Sequence, residues 1–136
     1  LGAQLHTLSD GDIAAALWAA RPEGNYDMLL GIGAAPEGVI TATAIRGIGG
    51  VFEGRLVFRS DAEEARAANM IDDDLTRLWS ARDLCQSDDA VFVASGVCDG
   101  YLPGVKINQD GTIGTFAEMI DVASRKITRH DRIHNQ

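Results

Sequence analysis

Long apolar runs are absent from this 136-residue sequence. None approaches the roughly 18 residues that a helix needs to cross a bilayer. The chain also opens at Leu1 without a basic, signal-like segment. Basic residues are outnumbered, with 12 Lys and Arg against 20 Asp and Glu and a formal charge of -8. Since binding a phosphate backbone needs a basic face, we expect neither nucleic acid nor a membrane as a partner.

Cysteine is scarce as well, with only Cys85 and Cys98 in the chain. The two are not at metal-ligand spacing and fall in or beside segments predicted to be buried, so we interpret both as buried structural thiols, with a single disulfide left open. The lack of a cysteine framework favours a reducing, cytoplasmic location. Apolar residues at 46% and charged residues at 24% are typical of an ordinary folded domain, so residues 1–136 are predicted to form one domain.

Strand-like and helix-like segments alternate along the first two thirds of the chain. This order predicts an α/β fold with a mostly parallel sheet and helices on both of its faces. The C-terminal third instead alternates around Asp110-Gly111, a hairpin signal, and predicts antiparallel strands at one edge. The predicted strands are 3–9, 26–33, 55–58 and 88–96, and the predicted helices are 13–21, 36–47 and 61–70.

Three polar or glycine-rich loops follow or precede these elements, at residues 9–12, 31–38 and 95–104. In parallel α/β sheets, ligands gather beyond the carboxyl ends of the strands. The predicted fold therefore places all three loops on one rim of the sheet.

The loop 31–38 reads GIGAAPEG and places Glu37 in the first turn of a helix. Its small residues allow close backbone approach and leave helical N–H groups free for an anion. A carboxylate in the same place would repel a bare phosphate, and the two are compatible when a divalent cation such as magnesium or manganese lies between them. The alternative is an ordinary first-turn acidic residue beside a tight turn. The loop matches neither a Rossmann fingerprint nor a Walker loop.

Each of the two other loops also has a functional interpretation and a purely structural one. Asp10 and Asp12 flank Gly11 before a helix, where they suit a sugar hydroxyl or a metal, or where one of them is simply the N-cap. Residues 95–104 offer Ser95, Asp99 and backbone N–H groups, or are only a polar loop with turn glycines. The histidines have no spacing typical of a metal site, and no Gly-x-Ser-x-Gly elbow is present.

The segments SDGDIAAAL, GIGAAPEGVITATAIRGIGG and VFVASGVCDGYLPGV, in this order, resemble the C-terminal half of the class II fructose-1,6-bisphosphatases, including the bifunctional fructose/sedoheptulose enzymes of cyanobacteria. The resemblance implies a magnesium- or manganese-dependent phosphatase that removes the 1-phosphate of fructose 1,6-bisphosphate in gluconeogenesis or the reductive pentose phosphate cycle. It implies Glu37 as a metal ligand and catalytic residue. It implies substrate contacts for Asp10, Gly11 and Asp12, and for the position of Ala34.

The sequence departs from the family pattern at several of these positions. Ala34 replaces the usual glycine against the substrate, and Tyr101 replaces the usual second aspartate of the later Asp-Gly-Asp motif. Ser95 and Cys98 stand where threonines are usual. These changes leave the choice between six- and seven-carbon substrates open.

The family's N-terminal metal motif, of the form Asp-Pro-x-Asp-Gly-Thr, is missing from the sequence. One glutamate cannot hold a catalytic magnesium by itself, so we expect an incomplete chain that needs an N-terminal domain and is inactive alone. A homo-oligomer is expected too, because the uncovered domain face would be exposed. The competing hypothesis is a non-catalytic α/β module that binds sugar phosphates or serves assembly.

Overall fold

The computed structural model describes residues 2–135 and combines helices with antiparallel sheets. The α/β class predicted from the sequence is confirmed, with four helices and six strands among the described residues. In chain order they are α1 (Asp12–Ala20), α2 (Ala35–Ile48), β1 (Glu53–Gly54), α3 (Asp61–Ala68), β2 (Trp79–Ser80), α4 (Ala81–Leu84), β3 (Val91–Ser95), β4 (Lys106–Ile107), β5 (Ile113–Asp121) and β6 (Ile127–His134).

The main sheet has four strands, and all of its pairings are antiparallel. β5 lies in the middle, pairs with β6 along one edge, and pairs with both β3 and β4 along the other. The predicted mostly parallel sheet is therefore wrong. β4, β5 and β6 follow one another through short turns, and a short turn can join only antiparallel neighbours. The hairpin predicted at Asp110-Gly111 is confirmed, with Gly111 in the left-handed region at a φ of 82°.

Three segments predicted as strands, 3–9, 26–33 and 55–58, lie outside every helix and strand. Their apolar spacing suits a strand, but a strand forms only when a partner accepts its backbone hydrogen bonds. The second sheet contains only β1 and β2, which pair Glu53 with Ser80 and Gly54 with Trp79.

The longer helices agree with the sequence signals to within a few residues. Pro36 occupies the second helical position of α2 rather than the predicted first, where its missing N–H is still harmless. Gly49 ends α2 in the left-handed region at a φ of 87°, and its N–H donates to the carbonyl of Ile45.

The core lies between the helices and one face of the main sheet, where Leu17 of α1, Ala44 of α2, Phe92 of β3 and Ile120 of β5 form one buried cluster. The helices were predicted to cover both faces. On the opposite face, however, Val91 is 49% exposed and Val93 is 62% exposed. The sheet is therefore covered on one side only at these positions.

Two further expectations concern the cysteines and the membrane. Both cysteines are free thiols, and Cys85 is buried as predicted, whereas Cys98 is exposed in the 95–104 loop. The interpretation of Cys98 as a buried thiol is thus wrong, because β3 ends at Ser95 and Cys98 lies in the loop beyond it. In residues 2–135, no helix has the length and apolar character needed to cross a membrane.

Candidate functional site

The three loops singled out in the sequence meet at one end of the molecule. An open cavity of about 450 Å³ is bounded by Gly11 at the start of α1, by Ile40 of α2 and by the segment from Ser95 to Cys98 after β3. The shared location was predicted from strand ends in a parallel sheet. It arises instead because the N-termini of α1 and α2 and the C-terminal end of β3 point the same way.

The Asp10-Gly11-Asp12 turn is shaped by its glycine. Gly11 is the N-cap of α1 and has a φ of 82°, a left-handed conformation that favours glycine. The Oδ1 atom of Asp10 accepts a hydrogen bond of 2.7 Å from the Gly11 N–H. Asp12 is the first helical residue, and no side chain caps the helix. The alternative that Asp10 or Asp12 is the N-cap is therefore wrong, and the Asp12 carboxylate lies at the positive end of the α1 dipole.

Glu37 lies in the first turn of α2 and reaches back to the residue that precedes the helix. Its Oε2 atom accepts a hydrogen bond of 2.8 Å from the Ala34 N–H, while Oε1 forms no hydrogen bond among the described residues. Ala34 has a φ of -75° and a ψ of 153°, an extended conformation that any residue adopts. The methyl group of Ala34 is therefore accommodated without straining the backbone.

The two helix N-termini bring their carboxylates close to Gly33. A methyl group placed on Gly33 would lie 3.1 Å from Oε2 of Glu37 and 3.8 Å from Oδ2 of Asp12. Carboxylate oxygens are the ligands that Mg²⁺ and Mn²⁺ prefer. In residues 2–135, however, no group of three or more Asp, Glu, His or Cys side chains is arranged to hold a metal ion. The donors present thus suit one side of a hard-cation site and require further ligands to complete it.

The 95–104 loop uses its own acidic residue to hold its shape. Oδ1 of Asp99 accepts a 2.8 Å hydrogen bond from the Gly104 N–H, and the Val105 N–H donates to the carbonyl of Val97. The loop backbone packs so closely that a methyl group on Gly96 would lie 1.9 Å from the carbonyl oxygen of Pro103. One carboxylate oxygen of Asp99 is therefore committed within the loop.

A buried cluster that the sequence reading missed fixes Tyr101 in the cavity wall. Glu118 of β5 has no exposed surface, and its Oε1 accepts hydrogen bonds from the Tyr101 hydroxyl at 2.5 Å and from Nη2 of Arg21 at 2.6 Å. Its Oε2 accepts from Nε of Arg129 at 3.1 Å. Burial, and then the bond to the Glu118 carboxylate, raise the pKa of the Tyr101 phenol well above its ordinary value.

The sequence did contain a signal for this cluster. Glu118 occupies an inward-facing position of β5, between Phe116 and Ile120, where the alternation calls for an apolar residue. A carboxylate at such a position needs a buried partner, and Arg21 supplies the positive charge. We call Arg21, Tyr101, Glu118 and Arg129 the Glu118 cluster.

The histidines make contacts with residues other than these carboxylates. His130 and His134 are on β6, as predicted for that segment, and Nε2 of His134 lies 2.8 Å from Oγ1 of Thr115. His6 packs edge-on against Tyr26, with 5.6 Å between ring centroids.

Comparison with known proteins agrees with the resemblance noted from the motifs. Residues 1–134 match the family described as bacterial fructose-1,6-bisphosphatase, glpX-encoded. A D-fructose 1,6-bisphosphatase class 2/sedoheptulose 1,7-bisphosphatase of Synechococcus sp. (strain RCC307) is 34% identical over 147 residues, which cover 98% of this chain and 44% of the relative. The protein of the same name from Thermosynechococcus vestitus is 35% identical over 149 residues, which cover 98% of this chain and 42% of the relative.

The chain therefore spans less than half the length of these relatives. The family match nevertheless includes all of the motifs described above, from Asp10 to Tyr101. The chain belongs to the bacterial, class II fructose-1,6-bisphosphatase family and corresponds to its C-terminal part.

Proposed function

We propose that this chain is the C-terminal part of a metal-dependent sugar bisphosphatase that hydrolyses the 1-phosphate of fructose 1,6-bisphosphate. The observation that carries the proposal is the placement of Asp12 and Glu37, from two separate helices, close to the same glycine, Gly33. The names of the relatives support the substrate class, since both are fructose 1,6- and sedoheptulose 1,7-bisphosphatases.

The residues of this chain have two tasks in the proposed reaction. Asp10 and Asp12 accept hydrogen bonds from sugar hydroxyls, and the left-handed turn at Gly11 presents the two carboxylates around a small residue. Glu37 keeps Oε2 on the Ala34 N–H and offers Oε1 to a divalent cation, Mg²⁺ or Mn²⁺. The backbone at Ala34 lies next to the sugar. The methyl group of Ala34 leaves the sugar less room to approach this backbone.

When bound, a divalent cation neutralises phosphoryl oxygens and lowers the pKa of a coordinated water. Glu37 by itself does not complete such a site, and the described residues hold no group of three metal donors. The remaining ligands then come from the part of the family's sequence that this chain does not span, on the same polypeptide or on a partner. We accordingly propose that the chain alone binds sugar bisphosphate weakly and does not turn it over.

The decisive substitution is Glu37→Gln in the enzyme assembled with its remaining part. Glutamine can keep the hydrogen bond to the Ala34 N–H and loses the negative charge that a cation requires. We expect kcat/KM for fructose 1,6-bisphosphate to fall at least about 100-fold, a change of roughly 2.7 kcal/mol. Activity within twofold of wild type at saturating Mg²⁺ or Mn²⁺ would reject the metal-ligand role.

The chain offers a matched control for this substitution in α3. Oε2 of Glu63 accepts a 2.8 Å hydrogen bond from the Arg59 N–H, so it caps a helix N-terminus as Glu37 does. Glu63→Gln should leave kcat/KM unchanged. If both substitutions lowered activity equally, the loss would reflect helix capping and not cation binding.

The non-catalytic alternative is tested with the chain alone. Phosphorus NMR with fructose 1,6-bisphosphate and Mg²⁺, combined with amide NMR, reports turnover and binding in one sample. If the chain holds only part of the active site, we expect amide chemical-shift changes at residues 9–12 and 31–38 without release of inorganic phosphate. Release of inorganic phosphate by the chain alone would show that no further part is needed.

A further inference from the structure

The segment from Tyr26 to Gly33, YDMLLGIG, places apolar side chains in solvent beside the candidate site. Met28, Leu30 and Ile32 are 69%, 81% and 72% exposed, whereas Leu29 between them is half-buried. The three exposed side chains occupy alternate positions, so they would share one face if the segment paired as a strand. We call Met28, Leu30 and Ile32 the apolar stripe.

The backbone of the same segment is unpaired. Within residues 2–135, no N–H or C=O group from 25 to 33 forms a hydrogen bond. A row of free backbone groups next to apolar side chains is a template on which another strand can add. The sequence of this segment favours a strand, and what it lacks among the described residues is a partner.

The accessible surface area of the chain indicates how large a surface a partner would cover. The accessible surface is 9950 Å² for a mass of 14.5 kDa. A compact monomer of this mass exposes only about 6,900 Å². The excess of roughly 3,000 Å² is well above the ~800 Å² per partner of a standard interface and reaches the per-partner share of the largest obligate assemblies. A surface of this size is expected where two parts of one folded unit separate.

We propose that residues 26–33 form a docking strand for the part of a class II bisphosphatase that this chain does not span. The length that is missing relative to the family, more than half of each relative, supplies the occupant. The segment ends at Gly33, where an added methyl group would lie within 4 Å of carboxylate oxygens of both Glu37 and Asp12. Docking there brings the incoming part directly to Glu37, which needs further cation ligands beside it, and this consequence rests on the proposed function.

Hydrogen exchange tests the docking in the protein assembled from this chain and the remaining part. Amide exchange at residues 26–33 should slow at least ~100-fold relative to this chain alone. Unchanged exchange at these amides would overturn the proposal. Protection that appears in this chain alone and rises with its concentration would assign the stripe to a second copy, and would also overturn it.

A charged residue in the stripe gives an independent test that does not depend on catalysis. Leu30→Asp in the assembled protein should weaken association with the remaining part roughly 100-fold, because it buries a carboxylate among apolar groups. The matched control is Ile107→Asp on β4, a position with a similar exposure of 79%. Equal effects of the two substitutions, measured by calorimetry or sedimentation, would overturn the proposal. Intact docking together with the absence of turnover would reject the proposed function and leave the docking strand in place.

Discussion

Removing the Glu118 carboxylate should be one of the most damaging single changes in this chain. The Glu118 side chain has no exposed surface and that of Arg21 is 4% exposed, so their ion pair is closed off from water. Glu118→Ala leaves the Arg21 guanidinium buried without a negative partner, and such breaks typically cost about 3–5 kcal/mol. It also removes the acceptor of the Tyr101 hydroxyl.

The expected loss of stability is large relative to the total free energy of unfolding. A domain of this length has a free energy of unfolding of about 7–20 kcal/mol. A loss of 3–5 kcal/mol corresponds to a fall in Tm of roughly 10–20 °C. Urea unfolding followed by circular dichroism, together with the fluorescence of Trp18, which packs edge-on against Tyr101, measures the change.

Two further variants separate the buried charge from general packing damage. Arg129 contacts the other oxygen of Glu118, but its side chain is 63% exposed, so Arg129→Ala should cost less than about 1 kcal/mol. The double variant Glu118→Leu with Arg21→Met removes both buried charges and should recover most of the stability, to within about 2 kcal/mol of wild type. A cost below about 1 kcal/mol for Glu118→Ala, or an equal cost for Arg129→Ala, would refute the reasoning.

Two other predictions concern the phenol and the helix glycines. Because the pKa of Tyr101 is raised in the folded state, its contribution to stability is complete below about pH 10 and is lost as the pH rises toward the folded-state pKa. In a Tyr26→Phe background, phenolate absorbance should therefore appear at higher pH in the folded chain than in urea; identical titrations would contradict this. Gly47→Ala places a methyl group 2.4 Å from Cγ2 of the fully buried Ile120 and should destabilise the chain by about 1–3 kcal/mol in urea unfolding. Gly38→Ala, also in α2 but facing open space, should instead stabilise it by about 0.5–1 kcal/mol, and similar effects at both positions would contradict the packing argument.

Local signals in the sequence predicted the local structure. Pro36 near the start of α2 and Gly49 after its end determine the helix bounds through their own backbone preferences. Asp110-Gly111 specifies a tight turn in the same way. Each of these signals acts within a few residues, so no knowledge of distant partners was needed.

Strand pairing could not be predicted in this way, because it depends on residues far apart in the chain. The parallel sheet was inferred from alternating segments, three of which, 3–9, 26–33 and 55–58, find no strand partner among the described residues. The proximity of Asp12 and Glu37 follows instead from two helices that begin at the same end. Glu118 was missed because a single acidic residue in an apolar strand reveals its partners only once the fold brings Arg21 beside it.

The hydrogen bond from the Ala34 N–H to Glu37 also has a consequence for entropy. A free glutamate side chain samples many rotamers, and fixing it costs up to about 1.5–2 kcal/mol. In this chain one oxygen is already held by the start of α2, so folding has restricted the rotamer before any ligand arrives. The second oxygen is then presented in one orientation, and a cation that binds it meets less conformational entropy loss than at a freely rotating surface glutamate.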